Sequence, residues 1–554
     1  MTRTPSPLDA LADKLFDAEV ALSPITMTHL GMAEHQDELD DFSPAGVDRQ
    51  AALVDATLAA LPDVPVGDAT DAVTAAALRE RLGLAAEAHR AGTDLMDIAN
   101  IASGLHHIRD IFDLMPTATP DDWATIARRL RAVPRAVTGW LASQVGGIEA
   151  GVVPAVRQVD ALAEQCAGWI GPHGFFAGLL DEATAACPDL SATVRDALTV
   201  GVEDAVTAYT VAITTLRETI RPRAAQADGV GADRYPLYSR EFLGTTVDYA
   251  AMYQWGLDQV AELETRQAEL AASLRPGLTV AATKAALDED PAYQLHGPAA
   301  MQAWMQARAD EAITYLHGRH FDIPAPARRI ECRIAPTHDG GIYYTDPSDD
   351  FTRPGRMWWS VPEAQTTFST WRELTTVYHE GVPGHHLQIS AAISASLNRW
   401  RRQGIWVSGH GEGWALYAEQ LMADLGYLDD PAMMLGMLDA QALRAVRVVI
   451  DLGLHCGFTA PAEVGGGDWT FEKALTYFNA HVAMDKDVAR FEVTRYFGWP
   501  GQAPSYKIGQ KVWTDIRNAI EVQEGTDFDL TAFHAEALAL GSLGLDTLRT
   551  ALLG

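Results

Sequence analysis

The chain has 554 residues, 48% of them apolar and 21% charged, with no segment dominated by one residue type. That balance excludes a disordered or fibrous protein and leaves a folded one large enough for two lobes. Its 74 acidic against 42 basic residues give a formal charge of −32, which would repel a phosphate backbone and argues against nucleic acid as a partner.

Cys166, Cys187, Cys332 and Cys456 lie too far apart for a thiolate metal site or a disulfide framework, and are expected as buried free thiols. The first twenty residues carry acidic side chains where a signal peptide would need an apolar stretch. No membrane-length apolar run follows, so a cytoplasmic protein with no membrane partner is expected.

From Ser6 to about Ala285, runs such as LDALADKLFDAEVAL and VGVEDAVTAYTVAITTLRETI repeat apolar residues at three- and four-residue spacing, which predicts amphipathic helices packed on one another. Near Pro324 the pattern changes. PAPARRIECRIAP and DGGIYYTD are short runs bounded by Pro and Gly and predict a small strand pair. Helical spacing then resumes at TTFSTWRELTTVYHEGV and dominates to the C-terminus. The expectation is a mainly α protein with a helical lobe over 1–285 and a catalytic lobe over 286–554, the lobes interleaved and a small sheet beside the active helix.

Residues 378–388, YHEGVPGHHLQ, begin like the zinc-binding HExxH motif. There, two His residues one helical turn apart bind zinc and the Glu activates water. Here the fourth position after His379 is Pro383, which cannot ligate, so the second His is His385 or His386. On a regular helix His385 would stand roughly 120° off the face of His379, and His386 about 10 Å along the axis. Pro383 and Gly384 should bulge or kink the helix and swing His385 back, so His385 is preferred, with His386 left open. The third ligand is expected in GHGEGWALYAE as Glu412, with His410 and Glu419 as weaker contenders; Glu419 suits a supporting carboxylate better than a ligand.

Through HEGVPGHHLQ, GEGWALYAEQL, RAVRVVIDLGLH and RYFGWPGQAPSYKIG, from about Pro324 to Lys511, the sequence resembles the bacterial "domain of unknown function 885" family, which looks like a distant relative of helical Glu-zincin peptidases of the carboxypeptidase Taq, oligopeptidase and angiotensin-converting-enzyme types. The resemblance implies a two-lobed zincin-like fold with a deep cleft, His379, His385 and Glu412 as metal ligands, and Glu380 as general base.

Two imidazoles and a carboxylate favour one zinc ion per chain over manganese or cobalt. The expected oxyanion donor is Tyr496 or Tyr506, in what reads as a Gly/Pro-rich loop. Arg495 and Lys507 could hold a substrate carboxylate. Asp451 and His455, at i and i+4, could orient a ligand, and Tyr343 and Tyr344 could sit on a strand that pairs with a peptide. The leading expectation is a zinc peptidase acting on short peptides. The alternatives are a zinc amide or ester hydrolase of a non-peptide metabolite, and a non-catalytic helical binding protein with a degenerate site.

Overall fold

The computed structural model describes residues 3–335, 341–362 and 364–554, and these are mainly helical with two small sheets. Many helices begin the same way: Ser6, Ser23, Ser43, Thr119 and Asp430 each accept a backbone N–H through the side chain, and each is followed by proline. Such a start satisfies one orphan donor and places proline where its missing N–H costs nothing. No helix among the described residues is long and apolar enough to cross a membrane.

Side-chain packing divides differently from the expected boundary at residue 285. The smaller core takes Ile25 and residues between Ile98 and Ile220, whereas the larger joins Leu8 to Leu82 with Tyr235 to Leu548. The first helices are therefore part of the larger core, because Leu8, Leu15, Leu78 and Leu82 turn their apolar stripe towards it. All four cysteines are free, and Cys166, Cys187 and Cys332 are buried.

Helix Pro431–Cys456 runs through the larger core, buried along most of its length, with helices Tyr249–Leu274, Thr370–Glu380 and Gln502–Glu524 packed around it. A helix apolar on nearly every face is stable only in such a place.

The strands are β1 (Gln294–His296), β2 (Ile330–Ile334), β3 (Ile342–Thr345), β4 (Gly355–Trp359) and β5 (Thr367–Ser369). The two expected strands, β2 and β3, form but do not pair with each other. Both pair with β4, parallel through Ile330↔Gly355 and antiparallel through Ile342↔Trp359. Of the stretch that predicted the pair, Pro336, Asp339 and Gly340 lie outside the described residues. The second sheet pairs β1 with β5 antiparallel, and β5 leads directly into helix Thr370–Glu380.

Helices Ser408–Asp424 and Gln502–Glu524 meet backbone to backbone. A Cβ on Gly509 would fall on the Gly409 carbonyl oxygen and stand 2.9 Å from the Gly413 Cα. Gly509→Ala is therefore expected to cost about 1–3 kcal/mol by overpacking, read as a lower denaturant midpoint at unchanged slope.

Candidate functional site

His379 and Glu380 end helix Thr370–Glu380, and a new helix opens at His385. The expected bulge within one helix is thus a full break across Gly381–Gly384, with a cis Val382–Pro383 bond. Pro383 has no N–H for the ladder, and Gly384 lies so close that any Cβ would strike the His379 carbonyl oxygen. The turn is held by the Gly384 N–H on the Tyr378 carbonyl (3.0 Å), the His386 N–H on the Gly381 carbonyl (3.1 Å) and the Trp414 indole N–H on the Pro383 carbonyl (2.8 Å). It brings the rings of His379 and His385 to 4.8 Å, nearly perpendicular.

Glu412 and Glu419 share helix Ser408–Asp424, and His410 lies within the same helix. Seven residues apart, the two carboxylates lie about 20° from one another around the axis, and they bracket His379. Glu419 accepts from Nδ1 at 2.8 Å and is itself held by the Thr375 hydroxyl at 2.6 Å. Glu412 Oε2 stands 3.3 Å from Nε2 of His379 and 3.4 Å from Nε2 of His385.

Although the Glu412 oxygen is this close to both rings, it is buried and accepts no well-aligned hydrogen bond. The three donors converge on a shared point. Donors 2.0–2.1 Å from a tetrahedral zinc stand about 3.3–3.4 Å apart, and all three atoms here lie within 4.8 Å of one another. The residues therefore fit a cation that takes two imidazoles and a carboxylate.

His386 is turned away from this point. Its Nε2–H donates to the Ala327 carbonyl (2.9 Å) and its Nδ1 accepts from the Tyr344 hydroxyl (2.7 Å), which leaves no lone pair free. Burial pushes its pKa down to about 4. His410 is buried against Trp513 and is no part of the cluster.

For His379, burial lowers the pKa, but Glu412, Glu419 and Glu380 outweigh it and lift the value to about 10. Glu412 is moved the other way: burial raises it, and His385 and His379 pull it well below the usual carboxylate range. Glu380 is raised by burial, against the pull of His379 and His385.

The cluster lines a cavity of about 610 Å³, together with Glu380, Tyr343, Tyr344, Trp406, Arg444, Arg447 and Tyr506. The sequence matches the family described as "Bacterial protein of unknown function (DUF885)" over residues 24–552. The chain belongs to the DUF885 family.

Two solved structures share the fold of this DUF885 protein. One is described as "the putative lipoprotein from Colwellia psychrerythraea", with 22% identity, a TM-score of 0.84, and 99% of this chain and 98% of that one covered. The other is "a putative lipoprotein of unknown function from Shewanella oneidensis", with 17% identity, a TM-score of 0.74, and 99% and 100% covered. No curated protein matches. The expectation of a cytoplasmic protein is overturned by these two, both described as lipoproteins. Acidic residues near the start of a chain do not fix its compartment.

Other expected residues of the DUF885 chain divide sharply. Tyr506 reaches the cavity and lies under the Arg447 guanidinium at 4.9 Å. Tyr496 does not: it is fully buried, donating to Glu492 (2.6 Å) and accepting from Arg447 (3.0 Å). The expected loop is two helices, Lys486–Gly498 and Gln502–Glu524, separated by three residues, with Pro504 in a first turn where proline is tolerated.

Arg495 and Lys507 do not line the cavity. Arg495 is spent on Gln502 (2.8 Å) and Glu492 (2.9 Å), and Lys507 on Gln441 (2.7 Å) and Gln510 (2.8 Å), with burial lowering the lysine to about 8. Tyr343 and Tyr344 do line the cavity.

Asp451 and His455 do not meet each other or the cluster. Asp451 accepts from the Tyr235 hydroxyl (2.5 Å) and the Gly501 N–H (3.2 Å); His455 donates to the Tyr496 carbonyl (2.9 Å). Burial lifts Asp451 to about 7 from an ordinary 3.8. A raised acid binds its proton more tightly when folded, so stability is lost as pH climbs from about 4 to 7. Asp451→Asn is expected to gain on the order of 2 kcal/mol over the native chain at pH 7 and almost nothing at pH 4, by urea unfolding at both.

Arg444, Arg447 and Trp406 escaped the sequence reading. The signal was present: two arginines at i and i+3 on a helix buried along most of its length need a reason to be there.

Proposed function

We propose that this protein is a zinc-dependent hydrolase of short peptides, with His379, His385 and Glu412 holding the metal and Glu380 as general base. The observation that carries this reading is the convergence of three ligand atoms on one point, beside a buried carboxylate and in the wall of a cavity. A two-lobed zincin-like architecture with its cleft belongs to the same proposal. When bound, zinc supplies Lewis acidity to the centre.

The chain's own groups do the rest. Glu419 holds the Nδ1 proton of His379, which leaves Nε2 as the ligating atom. Glu380 takes a proton from the attacking water as its oxygen bonds to the amide carbonyl carbon. It returns that proton to the leaving nitrogen as the C–N bond breaks. Tyr506 is the candidate donor to the oxyanion, since it lines the cavity and Tyr496 does not. The cavity volume lies within the range that takes a small ligand, which favours peptides of a few residues over folded chains.

A panel of short peptides and acyl-amides, assayed before and after chelation and after zinc is restored, tests the reading. Peptide cleavage that disappears with the chelator and returns with zinc is the expected outcome. Cleavage of acyl-amides alone would move the assignment to a non-peptide metabolite.

A further inference from the structure

Two arginines stand in the wall of the cavity, and their partners do not balance them. Arg447 shares Glu492 with Arg495, two guanidinium groups on one carboxylate. Arg444 has no carboxylate within 4.0 Å among the described residues. Its one hydrogen bond goes to the Ala440 carbonyl of its own helix at 3.2 Å, and its Nε is buried without a partner. A cation without a directly paired carboxylate in a partly buried wall is costly, although a chain with a formal charge of −32 has carboxylates to spare.

Arg444 is also near the reacting centre, since it lines the same cavity as Glu380, His379 and His385. A guanidinium offers a fork that matches a carboxylate in two bonds.

We propose that Arg444, with Arg447 beside it, anchors the free α-carboxylate of the substrate, so that the enzyme works at the C-terminal end of short peptides. This rests on the hydrolytic reading of the His379, His385 and Glu412 centre and adds the end at which it acts. The terminal or penultimate amide then lies over Glu380, and water divides it into a shortened carboxylate and a released amine. A longer chain continues out past Tyr343 and Trp406, which are 36% and 50% exposed.

The same carboxylate chemistry could come from an Asp or Glu side chain, and the test separates the two. Binding of N-acetyl-leucine, N-acetyl-leucinamide and N-acetyl-glutamic α-amide to zinc-loaded Glu380→Gln protein is measured by calorimetry. The companion variants are Glu380→Gln/Arg444→Gln and Glu380→Gln/Arg444→Lys.

N-acetyl-leucine is expected to bind about tenfold to a hundredfold more tightly than either amide. Arg444→Gln should bring that ratio near one, and Arg444→Lys should fall between, keeping the charge without the fork. Equal binding of all three, a preference that survives Arg444→Gln, or a gain confined to the glutamic amide overturns the anchor. The wild-type chain is assayed in parallel on free-acid and amidated peptides. Cleavage indifferent to the C-terminus leaves the peptidase reading standing and removes the anchor; acid-selective binding without any cleavage keeps the anchor and removes the peptidase.

Discussion

Glu380→Gln should lower kcat on a cleaved peptide by about 10³-fold, within the range of about 10²–10⁴ for removal of a general base, while the protein keeps its zinc. Gln has the same shape and cannot accept the proton, and Glu380 is outside the trio of converging donors. Burial raises this carboxyl above its ordinary value while His379 and His385 pull the other way. Such a group can both take a proton from water and give it up to an amine. A variant that loses zinc together with activity would place Glu380 among the ligands instead.

His385→Ala and His386→Ala, neighbours in sequence, should behave in opposite ways. The first removes one of three donors, so zinc affinity should fall by more than the roughly 10–100-fold that loss of a supporting group costs. The second should keep zinc and lose about 1–3 kcal/mol of stability, because the Ala327 carbonyl and the Tyr344 hydroxyl are left without their buried partner. Metal content and thermal unfolding of the two purified variants decide this, and zinc loss in His386→Ala alone would reverse the assignment.

The parts of the site that were legible in sequence are those whose chemistry is local. His379, Glu380 and the Pro383–Gly384 interruption sit within one stretch, and Glu412 and Glu419 stand two turns apart on a helix whose pattern is plain. The choice between His385 and His386 depended on the path of four residues through a turn, which helical geometry alone could not supply. Tyr496, Arg495 and Lys507 were misplaced because Gly and Pro around them read as a loop. The chain instead breaks for only three residues between two helices, the first burying Arg495 and Tyr496 and the second Lys507.

The sheet shows the same limit. β2 and β3 carry turn signals at their ends, whereas the strand between them in space, GRMWW of β4, has pairing partners only in three dimensions. Arg444 and Arg447 were hidden by the apolar run in which they lie, and only the folded cavity brings them into one wall.

Whether His379, His385 and Glu412 hold zinc is decided by anomalous diffraction at the zinc edge, from crystals equilibrated with zinc. One strong peak per chain is expected, bounded by Nε2 of His379, Nε2 of His385 and the Glu412 carboxylate, and lost in His385→Ala crystals. No peak in that cluster, or zinc held only elsewhere, would contradict it.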